Sequence, residues 1–169
     1  MQTLGNAKLL ELPKTVFLCS RKIPPSILLR TYDWAITRWD EGHCIISGFH
    51  SPLEKDILHY LWWGNQPIII ALAAGMQMNW DAAFKSEIDK GRILVVSFFT
   101  NNIERSTRYT AEIRNQKMMD MADGLFIAYA DPRGKVYRLA MKELRKRGKV
   151  FTFNVPENRR LLMKGAVPV

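Results

Sequence analysis

Apolar residues in this chain gather in short dense runs, and the stretches between them carry apolar positions every three or four residues. Six runs read as strands: 14–19, 43–47, 67–72, 93–98, 125–130 and 150–153. They are apolar almost throughout instead of alternating, which is the pattern of strands covered on both faces. Five stretches between them read as helices: 26–41, 52–63, 81–90, 106–123 and 135–146. Gly42 and Gly91 supply stop signals after the first and third. Strict alternation of strand and helix predicts a Rossmann-like α/β fold. Its sheet is doubly wound, mainly parallel and six-stranded, with helices on both faces. No internal repeat or low-complexity linker interrupts the pattern. One domain is therefore expected over residues 1–169, with residues 1–13 as an N-terminal extension and 154–169 as a tail packed on it.

In such a sheet, ligands sit beyond the carboxyl ends of the strands, so the loops after each strand are where chemistry is sought. The second of these turns sharply from Ile45-Ile46-Ser47-Gly48 into Phe49-His50-Ser51-Pro52-Leu53-Glu54. Ser51-Pro52-Leu53-Glu54 fits a capping box, with Pro52 at the first helical position. Gly48 is expected to supply a positive φ and room for a ligand. The amides of that first turn favour an anion, while Glu54 places a negative charge beside them. The loop Asp131-Pro132-Arg133-Gly134-Lys135 is more persuasive. It puts two cations at a helix N-terminus, where the helix dipole opposes them and an anionic ligand would compensate. Neither GxGxxG nor GxxxxGK[ST] occurs, so no dinucleotide fingerprint or Walker loop is present.

Composition sharpens this picture. The chain is 47% apolar, as a globular protein is. No apolar run is long enough to span a bilayer, and the first residues do not read as a secretory signal. Cys19 and Cys44 both lie in strand-like runs and are expected to be buried free thiols of a cytoplasmic protein. The net charge is +9 and the pI is about 9.8. That balance favours a polyanionic partner, and the cations are densest between Arg133 and Lys149. His43, His50 and His59 show no metal-ligand spacing, and no Ser/His/Asp set converges.

Taken in order, several segments resemble the DNA-processing protein A (DprA/Smf) family, within the wider group of DprA- and LOG-like Rossmann domains. VFLCSR (16–21) resembles the family's first strand ending in Gly-Ser-Arg, and IISG (45–48) its Ser-Gly corner. Ser97 matches the serine ending its fourth strand, and RNQ (114–116) resembles its Arg-Asn-Arg. PRGKVYRLA (132–140) falls where the family has Ser-Gly-Ser-Leu and a helix. KVFTFNVPENRRLLMKGA (149–166) resembles its closing Val-Pro-Gly and Gly-Ala segments. The sequence departs from the family at Pro52-Leu53-Glu54, which stand in place of Gly-Ile-Asp. It departs again at Phe98, where the family has an acid, and at Gln116, where it has a second arginine.

The resemblance implies a cytoplasmic, non-catalytic protein that binds single-stranded DNA in a basic pocket and passes it to a recombinase during natural transformation. Carried over by position, Arg21, Ser47, Gly48, Arg114, Gly134 and Lys135 fall where the family lines its pocket. The residues themselves add Lys22, Arg105, Arg108 and Arg133 as phosphate cations and Phe49, His50, Phe99 and Tyr109 as stacking rings, because a single strand needs both kinds of contact. No cofactor and no membrane contact are expected, and a homodimer is compatible with this reading. Two other readings stay open. One is a module that senses a mononucleotide. The other is a nucleoside N-glycoside hydrolase or transferase using Glu112, although the LOG-type Pro-Gly-Gly-x-Gly-Thr-x-x-Glu signature is missing. For Glu112, an i,i+4 pair with Arg108 is the simpler expectation.

Overall fold

The computed structural model describes residues 1–77 and 79–169. Its strands are β1 (Gln2–Gly5), β2 (Lys14–Leu18), β3 (Cys44–Ser47), β4 (Ile68–Leu72), β5 (Ile93–Ser97), β6 (Gly124–Ile127), β7 (Val150–Thr152) and β8 (Val167–Pro168). Its helices are α1 (Pro25–Thr37), α2 (Pro52–Trp62), α3 (Ala82–Asp89), α4 (Arg108–Met121), α5 (Lys135–Arg145) and α6 (Arg159–Leu162). All eight strands form one sheet in the order β1-β5-β4-β3-β2-β6-β7-β8. The six expected strands are all present and parallel. Two short ones flank them, so the sheet has eight strands and not six. β1 pairs antiparallel with β5, and β8 pairs with β7. Four residues of half-exposed alternation and a two-residue bridge are too short to leave a periodic signal.

Side-chain alternation along the strands builds two cores. Phe17, Ile45, Ile68, Ile70, Ile93, Val95 and Phe126 face α1, α2 and α3. Val16, Leu18, Ile46, Ile69, Leu94, Val96, Leu125 and Ile127 face Met118 and Met119 of α4, Ala140 of α5 and Leu161 of α6. The chain runs outward from β2 through β3 and β4 to β5, then returns by α4 to place β6 beside β2. The strand order therefore reverses between β2 and β6, and a crevice opens there at their carboxyl ends. No helix among the described residues is long and apolar enough to cross a membrane.

Cys19 and Cys44 are buried and unbonded, and burial pushes both thiols up to about 12, so they stay protonated at neutral pH. On the α2 side, Arg92 closes the helix C-terminus. Its Nη1 donates to the carbonyl of Gly64 at 2.9 Å and its Nη2 to that of Trp62 at 2.9 Å. Its Nε donates to Glu87 at 2.6 Å, with both side chains largely buried. Hydrogen bonds from Lys90 and then Arg92 hold the Glu87 carboxyl below its usual range. Its contribution to stability is therefore present above the ordinary carboxylate range and is lost as pH falls through the lowered value. Arg92→Ala is expected to lower the unfolding free energy by roughly 2–3 kcal/mol, read by urea denaturation.

Candidate functional site

The crevice at the β2/β6 reversal is a cleft of ≈ 400 Å³. Four segments wall it: the residues after β2, the start of α2, the inner face of α4 and the turn into α5. Ser20 ties the first segment to the last. Its amide donates to the carbonyl of Tyr129 at 2.9 Å, and its Oγ accepts the amide of Asp131 at 2.9 Å. Asp131 then organises the turn. Its carbonyl accepts the amide of Gly134 at 2.7 Å and its Oδ1 that of Arg133 at 2.9 Å. The turn delivers α5 with Gly134 at its N-cap, no side-chain cap and no acid in its first turn. Gly134, Lys135 and Val136 all line the cleft, so the leading amides of an eleven-residue helix meet it without a side-chain acceptor.

The α2 corner behaves differently. Its capping box forms as the sequence predicts, with Glu54 Oε2 accepting the amides of His50 at 2.9 Å and Ser51 at 3.0 Å. A carboxylate therefore already sits at this corner on the two amides that lead into the helix, and Ser51 Oγ takes the amide of Glu54 within its first turn. Capacity for an anion lies at α5 instead.

Gly48 has another purpose than the one its position suggested. The positive φ falls on Phe49 (45°), not on Gly48. A Cβ at position 48 would instead overlap the guanidinium of Arg114. That guanidinium crosses over the ends of β3 and β4, where Nη1 donates to the carbonyl of Ala71 at 3.0 Å. Arg114 is 5% exposed, its Nε has no partner, and it forms no ion pair among the described residues. It is thus neither paired with Asp120 or Asp123 nor reaching for solvent, as a helix-interior arginine usually is. Burial lowers its pKa, and the negative charge of Glu54 opposes that shift. A guanidinium keeps its charge even so. The result is a buried cation on the cleft wall, held by one carbonyl bond.

Of the residues expected at the site, Arg21, Lys22, Arg114, Gly134 and Lys135 line this one cleft. Ser47 and Phe49 lie inside the protein and not on its wall. The Ser47 hydroxyl is fully buried and donates to the carbonyl of Phe17 at 2.8 Å, while the Phe49 ring packs in the α1–α3 core. Gly48 lies behind Arg114, and Arg133 is not on the wall: its side chain is 92% exposed, with Nε 3.8 Å from Asp131 Oδ1. Arg108, at the first position of α4, lines the cleft as well. It is one of the phosphate cations the sequence offers, and the Thr107–Thr110 capping box fixes where its helix starts. Five cationic side chains then face three carboxylates on the cleft wall. One of the three, Glu112, pairs with Lys135 and not with Arg108. No cluster of metal-ligating side chains is present among the described residues. A cleft of similar size, ≈ 410 Å³, opens at the other end of the strands. It is floored by the stacked Trp34 and Phe126, and its Arg38 and Glu41 neutralise each other.

No protein-family model matches the sequence, and no curated protein matches it. Among solved structures, DNA processing protein A from Streptococcus pneumoniae superposes with a TM-score of 0.81 at 19% identity, over 99% of this chain and 62% of that one. The chain thus spans less than two thirds of that relative. A structure describing the single-stranded DNA binding mode of DNA processing protein A from Helicobacter pylori gives a TM-score of 0.76 at 18% identity, over 98% and 79%. The molybdenum cofactor binding protein of Rippkaea orientalis gives 0.60 at 14% identity, over 90% and 82%. The fold is therefore the Rossmann-like fold of DNA processing protein A, shared more distantly with molybdenum cofactor binding proteins.

Proposed function

We propose that this chain binds single-stranded DNA without reacting with it, holding phosphates in the β2/β6 cleft. One observation carries the reading: Arg114 is a buried, ion-unpaired guanidinium on the wall of that cleft. Keeping such a charge out of water costs several kcal/mol unless something compensates. A phosphate oxygen would compensate, and the uncapped amides of α5 with Arg21, Lys22, Arg108 and Lys135 would share its charge. The fold shared with the Helicobacter pylori protein and its single-stranded DNA supports the same reading. A place in DNA uptake, with hand-over to a recombinase, follows from that kinship as part of the proposal. The glycosidase reading has less support, because its best carboxylate, Glu112, is engaged by Lys135.

Fluorescence anisotropy with a labelled single strand, competed by duplex and by mononucleotides at two salt concentrations, tests this. Binding without turnover should weaken with salt at a log–log slope of about −0.7 for each phosphate contacted. A salt-independent signal, or a preference for duplex, would count against it.

A further inference from the structure

We propose that the bound strand leaves the cleft along the groove between α4 and α5, so that the complete site takes several consecutive nucleotides and not one phosphate group. This rests on the reading of the cleft given above. The groove has a volume of ≈ 580 Å³ and shares Glu112, Asn115 and Lys135 with the cleft, so the two are continuous. From Lys135 it runs past Arg138 and Lys142 on α5, with Tyr109 on the α4 side. Spacings of three and four residues put the three cations on one face of α5. At 1.5 Å per residue, Lys135 and Lys142 stand about 10 Å apart along the axis. That is about three nucleotides of a stacked strand rising ~3.4 Å each.

A stripe of solvated charge does not account for this arrangement. Lys135 and Arg138 lie in the opening turns of α5, where the helix dipole disfavours cations; Glu112 of α4 balances Lys135, and the first turn of α5 carries no acid to balance Arg138. Arg138 forms no ion pair among the described residues. Lys142 donates to the neutral Oε1 of Gln116 at 2.6 Å, and Gln116 Nε2 donates in turn to Asp120 at 2.8 Å. The ammonium is thereby held at the groove wall with its charge uncancelled. On the opposite wall Tyr109 is 72% exposed, an unusual state for a large ring and one that suits stacking on a base. Phosphates would follow α5 while bases lie toward α4.

Anisotropy with fluorescein-labelled oligothymidylates of two and eight nucleotides decides the matter. The natural chain is expected to bind the longer oligomer at least tenfold more tightly than the shorter. The double variant Arg138→Ala/Lys142→Ala should erase most of that gain and make the salt slope less negative by about 1.4, at about 0.7 per lost phosphate. It should leave the shorter oligomer unchanged. Equal affinity for both lengths, or an unchanged octamer affinity in the variant, overturns the groove while sparing the cleft. Failure of both oligomers to bind the natural chain removes the cleft reading and the groove with it.

Discussion

Gly48→Ala is expected to displace Arg114 and to abolish ligand binding while also destabilising the protein. The new methyl would occupy the place of the guanidinium, which is wedged over the ends of β3 and β4 by its bond to Ala71. The side chain is flexible in principle, but it is 95% buried by packing, and moving it gives up its one carbonyl bond. A loss of about 2–3 kcal/mol in unfolding free energy is expected, since both overpacking and an orphaned carbonyl contribute. The cause can be isolated by a double-mutant cycle. If the overlap is responsible, Gly48→Ala costs much less in an Arg114→Ala background, with a coupling of about 1–3 kcal/mol. Additive costs in urea denaturation would mean that Gly48 matters for some other reason.

Arg114→Met should separate binding from folding. It keeps an unbranched, apolar stem over Gly48 and removes the buried charge. The Ala71 carbonyl loses its arginine donor, but the cost of a buried, unpaired charge is relieved, so the two effects oppose and the change in unfolding free energy should stay within about 1 kcal/mol. Affinity for a single strand should fall by about 2–4 kcal/mol, roughly 30- to 1000-fold, because a desolvated charge contact is lost at the centre of the site. Arg114→Lys should recover only part of it, since an ammonium cannot offer the planar fork of donors. A variant that binds normally would place the ligand elsewhere.

The fold was legible because its signals are local. Glycine stops, the Ser51–Glu54 capping box and the apolar strand runs each report on a few neighbouring residues, and the helix bounds agree within a few positions. The flanking strands β1 and β8 were not, because their pairing depends on partners more than eighty and about fifteen residues away. The site was legible only in outline. Loop position alone suffices to gather Arg21, Lys22, Gly134 and Lys135 around one cleft. What one sequence could not convey is which side of the backbone a neighbour occupies. The glycine at 48 suggests space for a ligand, and that space is filled by a side chain sixty-six residues later. Phe49 has the residue type of a stacking surface, but its backbone has a positive φ and its ring packs in the core. Ser47 ends an inner strand, and its hydroxyl is consumed by the neighbouring strand's carbonyl.

The central claim is that phosphates rest where α5 begins, against Arg114. Backbone amide shifts of the isotopically labelled protein, followed by NMR while a short single strand is added, test it most directly. The account predicts the largest changes at Ser20, Arg21, Gly134, Lys135 and Val136. Changes confined to the opposite, N-terminal ends of the strands around Trp34 and His43, or none at all at saturating strand, would contradict it.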